Sequence, residues 1–300
     1  MAAQPETTMT AQLIDGKAIA KEVRDEVAEN VQKRLAAGKS RPTLATVLVG
    51  DRVDSQTYVR SKQKACEELG MGSIAHQLPA ETSQEDLEKL ITELNANKQV
   101  NGILVQLPLP AHLDEERVLQ LISIEKDVDG FSPINIGRLA QKGREPLFVP
   151  CTPQGCIYLL EHAGVKIEGA NAVVLGRSNI VGMPAALLLI GHNATVTVCH
   201  SRTQDIASVV RQADILIAAI GKTEFVRGDW IKPGAAVIDV GMNSKPDATK
   251  KSGHRLVGDV NFDEAKNVAG FITPVPRGVG PMTIAMLMRN TFRAAEIQAP

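Results

Sequence analysis

Apolar residues recur at Ile19, Val23, Val27, Val31 and Leu35, every fourth position across residues 17–37, and predict an amphipathic helix with one buried face. Gly38 then supplies its C-cap. Residues 43–49 are a short aliphatic and β-branched run ending at Gly50, which predicts a strand. A helical stretch covers residues 55–69, residues 73–78 read as a second strand, and Ser83 caps a helix that reaches Leu94. Residues 102–107 form an apolar strand interrupted only by Gln106, and residues 114–122 look helical. This alternation of strand and helix is the pattern of a parallel sheet covered by helices.

From Leu147 the pattern breaks at Pro150, Pro153 and Gly155, a punctuated stretch that fits a domain boundary leading into a helix over residues 154–163. The alternation then resumes, with strands expected at 172–175, 195–199, 215–220 and 236–240 and a final helix at 284–296. A chain of 300 residues is long enough for two packed cores. The expected fold class is therefore α/β, with one domain over residues 1–150 and a Rossmann-like domain over residues 151–280.

Composition narrows the partners. Aromatic residues make up 3% of the chain, so the cores must be aliphatic, and the net charge of -1 offers no basic field for nucleic acid or an anionic membrane. No apolar run approaches the roughly 18–20 residues that span a bilayer, and residues 1–10 lack both a signal core and the arginines of a transit peptide. A cytoplasmic enzyme with a small-molecule substrate is expected, with Met9 as a second candidate start. Cys66, Cys151, Cys156 and Cys199 form no CxxC pair and no two histidines lie three or four apart, so buried thiols and no metal site are expected.

The strand at 172–175 enters Gly176-Arg-Ser-Asn-Ile-Val-Gly182, and a helix is expected from Pro184. In a strand, turn and helix of this kind, backbone N–H groups and the helix dipole face a pyrophosphate, while the glycines let the backbone come close. The turn departs from GxGxxG, with Ser178 at the second glycine position and one extra residue. The next strand ends in His200-Ser201-Arg202-Thr203, with no acid to accept a ribose 2′-OH. Arg177 and Ser201, with Arg202 beside them, suit a 2′-phosphate instead, which favours NADP over NAD. Gly221-Lys222-Thr223 mimics the end of a phosphate loop, but Leu216 stands where the first glycine is required.

The first half carries its own constellation. Tyr58 and Lys62 lie four apart on one helix face just after a strand end, where ligands of open α/β sheets bind. Gln106 would be a buried amide in need of a partner, and Lys62 is the natural candidate. A lysine held by a neutral amide and partly desolvated has a lowered pKa suited to proton transfer. Asp129 adds a carboxylate in the turn Asp127-Val-Asp129-Gly130. On spacing alone, the same residues also suit a packed tyrosine, a surface lysine and a turn former.

Taken together, Tyr58-Val-x-x-Lys62, Gly102-Ile-Leu-Val105-Gln106-Leu107-Pro-Leu-Pro110, Lys126-Asp-Val-Asp129-Gly130, Pro150-Cys-Thr-Pro153, the turn at Gly176 and Gly280-Pro-Met-Thr283 resemble the bifunctional methylenetetrahydrofolate dehydrogenase/cyclohydrolase family over residues 13–295. The resemblance implies two α/β domains flanking a cleft, with a carboxy-terminal helix (281–300) returning to the first, and a homodimer. It implies NADP-dependent oxidation of 5,10-methylenetetrahydrofolate, hydrolysis of the methenyl product to 10-formyltetrahydrofolate, and a place in purine biosynthesis. Lys62 would be the central catalytic residue, tuned by Gln106, with Tyr58 positioning the folate and Asp129 holding the pterin. Val105 and Leu107 would line the folate, as would Pro276, Arg277, Gly278, Val279 and Gly280; Gly176, Arg177, Ser178, Ser201 and Met242 match NADP contacts.

Two departures stand out. Arg277 occupies a position where the family typically has glycine, and if that position needs φ > 0 the arginine costs roughly 1 kcal/mol or more and reshapes the folate loop. Arg277 could alternatively face the glutamate tail of the substrate. Met242 replaces a more usual isoleucine, a volume-conserving change. Two other readings use the same features: a dehydrogenase of another small substrate, of the amino-acid or shikimate type, and a folate- or nucleotide-binding regulator that has lost turnover through Arg277.

Overall fold

The structure is a computed structural model that describes residues 11–250 and 253–299; Met9 lies outside them. In chain order the elements are β1 (Gln12–Leu13), α1 (Gly16–Ala36), β2 (Thr43–Val49), α2 (Val53–Glu68), β3 (Gly72–Leu78), α3 (Gln84–Ala96), β4 (Gly102–Val105), α4 (Glu115–Leu121), α5 (Pro133–Leu139) and α6 (Cys151–His162). They continue as β5 (Asn171–Leu175), α7 (Gly182–Gly191), β6 (Thr195–Cys199), α8 (Ile206–Val210), β7 (Ile215–Ala218), β8 (Ala236–Asp239), β9 (Asn243–Pro246), β10 (His254–Val257), α9 (Phe262–Ala265), β11 (Phe271–Ile272) and α10 (Val279–Gln298). Two compact units result. The first comprises Ala20–Cys151 and the residues from Thr283; the second comprises the segment up to Ile19 and Thr152–Met282.

In the first unit a parallel sheet runs in the order β3-β2-β4, with Thr43 opposite Gly72 and Leu44 opposite Gly102. All of β2 beyond Thr43 is buried, which explains its unbroken apolar run: a central parallel strand is covered on both faces. Leu87, Ile91 and Leu94 form the buried stripe of α3, whose first turn is capped as expected by Ser83 Oγ accepting from Asp86 N at 3.1 Å. Along α1, Val23, Val27 and Val31 are buried while Leu35 is half-exposed, because the last turn buries Arg34 instead. The Arg34 side chain donates to Ser40 O at 2.8 Å and pairs with Glu296.

In the second unit six parallel strands run β1-β11-β8-β7-β5-β6. Because β6 and β7 flank β5 on opposite sides, the connection reverses direction at the carboxyl end of β5, the switch point where doubly wound sheets bind ligands. The apolar core packs Val173, Leu175, Leu216, Val237 and Ile272 with Val260 and Ala265. The expected first domain had included the whole amino terminus; instead β1 extends the second unit's sheet, with Ile14 N donating to Ile272 O at 2.9 Å. A two-residue strand is too short to show a period. The strand expected to reach Ile220 stops at Ala218, and α6 starts at Cys151 because its first turn tolerates Pro153.

Candidate functional site

The first unit gathers Lys62, Gln106 and Asp129 from three separate segments. Lys62 lies on the buried face of α2, in line with Ser55, Val59 and Cys66, and is only 7% exposed. Gln106 follows β4, whose last residue is the buried Val105, and its Nε2 donates to Leu107 O at 2.8 Å. That bond fixes the amide orientation and aims Oε1 at Lys62 Nζ, which donates to it at 3.0 Å. Tyr58 is half-buried one turn before Lys62, and burial, then the charge of Asp54, raises its phenol pKa.

Asp129 reaches this group through a turn that two glycines permit. Ile103 N donates to Lys126 O at 2.8 Å, laying the turn beside β4. A side chain at Gly102 would place Cβ 2.6 Å from Val128 Cγ1, and one at Gly130, which has φ 72°, would meet the backbone of Pro150 at 2.7 Å. Asp127 locks the turn by accepting from Phe131 N, Ser132 N and Asn135 Nδ2 at 3.1, 2.8 and 2.9 Å. Asn290 of α10 completes it, donating to Val128 O at 2.8 Å and Val149 O at 3.1 Å.

Burial dominates the electrostatics. It pushes the Lys62 ammonium below the ordinary lysine pKa, against the opposing pull of Asp129 and Cys151. It raises the Asp129 carboxyl, against the charge of Lys62 and a hydrogen bond from the Cys151 thiol. Both shifts favour the uncharged forms, so Lys62 gives up its proton more readily than an ordinary lysine and the cluster is suited to proton transfer. Cys151, expected only as one of four inert thiols, lies inside the cluster with its own pKa pushed well up by burial. Asn290 carried no sequence signal, being one of several polar residues along α10.

In the second unit Gly176 has φ 108°, and a Cβ there would lie 2.1 Å from Ala219 O; one at Gly182 would lie 2.2 Å from Gly176 O. Both ends of the turn therefore need glycine. Ser178 replaces the middle glycine by folding the turn onto itself, its Oγ accepting from Val181 N at 3.2 Å and Gly182 N at 3.3 Å. Gly176, Arg177, Ser178, His200, Ser201 and Lys222 line one groove of about 410 Å³. Arg177 and Lys222 are cations, and none of its lining residues among those described is acidic, which fits a 2′-phosphorylated dinucleotide. Arg202 and Met242 stand outside this lining, Met242 being exposed beyond the end of β8. Lys222, dismissed with the false phosphate loop, belongs to it, because β7 ends early and turns the chain toward Gly176.

Pro276, Arg277, Gly278, Val279 and Gly280 also belong to the second unit, with the last two already in the first turn of α10. Arg277 has φ 89°, so the position does require the left-handed region. Its guanidinium pairs with Asp15 at 2.6 Å, and its carbonyl accepts from Lys17 N at 2.9 Å.

A doubly wound sheet with this glycine-bounded turn and cationic groove defines a dinucleotide-binding α/β enzyme. Comparison with known proteins makes the class particular. The family model for the tetrahydrofolate dehydrogenase/cyclohydrolase catalytic domain matches residues 14–129, and that for its NAD(P)-binding domain matches residues 150–299. The chain belongs to the tetrahydrofolate dehydrogenase/cyclohydrolase family. It is 60% identical to bifunctional protein FolD 2 of Arabidopsis thaliana, covering 96% of each chain, and 58% identical to bifunctional protein FolD of Moorella thermoacetica, covering 96% of this chain and 99% of that one. The solved methylenetetrahydrofolate dehydrogenase-cyclohydrolase of Trypanosoma brucei, complexed with NADP cofactor and inhibitor, superposes with a TM-score of 0.92 at 47% identity, over 96% of this chain and 98% of that one.

Proposed function

We propose that this bifunctional dehydrogenase and cyclohydrolase runs both of its reactions on the Lys62, Gln106 and Asp129 cluster, with NADP held in the groove at Gly176. It oxidises 5,10-methylenetetrahydrofolate to the 5,10-methenyl form and hydrolyses that to 10-formyltetrahydrofolate. The observation that carries the assignment of roles is the bond of buried Lys62 to the neutral amide of Gln106 at 3.0 Å.

NADP, when bound, supplies a hydride acceptor. The methylene carbon releases hydride while its two flanking nitrogens absorb the positive charge, so the first step needs orientation rather than proton transfer. Asp129 provides that orientation by hydrogen bonding to the pterin, and Tyr58 by contact with the folate, with Val105 and Leu107 lining the same strand end. Hydrolysis differs. Water adds to the methenyl carbon and gives one proton to the unprotonated form of Lys62; N5 takes a proton as the carbon–N5 bond breaks, the carbinol hydroxyl gives up its own proton to become the formyl oxygen on N10, and one proton in all is released to solvent. Arg177 and Ser201 would hold the 2′-phosphate of NADP, and Gly176 and Ser178 would shape the turn that receives its pyrophosphate.

The test is spectroscopic. NADPH absorbance should grow with methylenetetrahydrofolate, followed by decay of the methenyl absorbance, and Lys62→Met should abolish the second phase. A folded Lys62→Met enzyme with full hydrolysis would contradict the role. The reading extends to a cytoplasmic homodimer that supplies purine biosynthesis. Four buried thiols support a reducing compartment, and analytical ultracentrifugation tests the dimer.

A further inference from the structure

Two buried carboxylates lie under the loops that follow β7 and β8, at the sheet edge where the groove opens. Asp259 is fully buried, and each of its oxygens accepts two donors. Oδ2 takes Ile220 N at 2.7 Å and Gly221 N at 3.0 Å; Oδ1 takes Lys222 N at 2.8 Å and Asn243 Nδ2 at 2.9 Å. Asp239, at the end of β8, accepts from Gly241 N at 3.0 Å, Asp259 N at 2.9 Å and Val260 N at 2.9 Å. The backbone is cut away to admit both groups. A Cβ at Gly241 would lie 2.3 Å from Asp259 Oδ1, and one at Gly258 would lie 1.8 Å from Asp239 Oδ2.

The loop that Asp259 holds is part of the groove: Ala219, Ile220 and Lys222 all line it. Three consecutive N–H groups bound to one carboxylate leave residues 220–222 a single arrangement. Asn243 extends the hold to the loop carrying Met242. Asp239 in turn fixes Asp259, since it binds that residue's own N–H.

We propose that Asp259 is a positioning residue for the cofactor, whose carboxylate holds residues 220–222 so that the NADP groove stands preformed. The role rests on the assignment of that groove to NADP. Preformed sites bind more tightly because no ordering is left for the ligand to drive.

Asp259→Asn tests it with little change of shape. One acceptor oxygen becomes an NH2 group that faces two N–H donors, so half of the clamp is lost. By calorimetry the NADP Kd should rise at least about tenfold, with the NADP KM following, while folate KM and the cofactor-free cyclohydrolase rate stay within about twofold. Hydrogen exchange supplies a readout in the unmodified enzyme: the amides of Gly221 and Lys222 should exchange slowly although both residues are exposed. A folded Asp259→Asn protein with unchanged NADP Kd overturns the proposal, as does fast exchange at residues 220–222 in the unmodified enzyme. Joint loss of folding and both activities also overturns it, marking Asp259 as a folding residue. Arg177→Ala is the control. If it leaves NADP binding unchanged, the groove assignment fails and the inference with it; if it weakens NADP while Asp259→Asn does not, the positioning role alone fails.

Discussion

Gln106→Glu would put a charged oxygen where a neutral one now accepts from Lys62 Nζ at 3.0 Å. Unit charges about 4 Å apart attract by about 4 kcal/mol at an effective dielectric constant of 20, and each pKa step corresponds to about 1.4 kcal/mol. Burying the new carboxylate takes back part of this, leaving a rise of about 1–3 in the Lys62 pKa. The neutral amine is the form that accepts a proton from water, and its population falls tenfold for each step. Cyclohydrolase activity at neutral pH should therefore drop by about 10- to 1000-fold, and the rising limb of its pH profile should move to higher pH by the same 1–3 steps. Hydride transfer uses no proton from Lys62, so the dehydrogenase should lose far less. Methenyl absorbance decay measured against pH, beside NADPH formation on the same preparation, separates the two. A folded Gln106→Glu enzyme with the original cyclohydrolase profile would refute the tuning of Lys62 by a neutral amide.

Arg177→Ala should weaken NADP by about 10- to 100-fold, the value of a hydrogen bond to a charged group, and NAD far less; equal losses by calorimetry would argue against a 2′-phosphate contact. Arg277→Gly should raise stability by up to about 1 kcal/mol, because relief of the left-handed φ of 89° outweighs an exposed ion pair with Asp15. A fall of more than about 1 kcal/mol on denaturant unfolding would show that the pair dominates. Burial pushes Asp127 up to about 6, from 3.8, against the N–H groups of Ser132 and the others it binds. The folded state thus holds this proton where the unfolded state releases it, and on the order of 3 kcal/mol of stability present below pH 4 is lost as pH rises to about 6. Carboxyl NMR should place the Asp127 midpoint near 6, and ionisation complete below pH 4 would contradict this.

The clearest legible features were those with local causes. The α1 and α3 stripes, the unbroken β2 run and the Ser83 cap follow from side-chain period and capping, which neighbours in the chain decide. The small elements had no such signal: β1 and β11 are two residues each, and they form only because parallel partners accept them. The β9 and β10 hairpin, four residues to each strand and mostly polar, was likewise invisible to an apolar pattern.

For the site, the motifs named Lys62, Gln106, Asp129, Arg177 and Ser201, because residue types and spacing carry the chemistry those positions need. Tertiary structure decided what surrounds them. Cys151 and Asn290, 22 and 161 residues away in sequence, become neighbours of the Asp129 turn only through the tertiary packing of the first unit. Lys222 enters the groove, and Asp259 comes under it, because β7 and β8 lie side by side in the sheet. The sequence by itself determined which groups can do the chemistry. Only the fold determined their protonation and their fixed orientation, since both depend on burial and on donors contributed by segments that the chain order keeps apart.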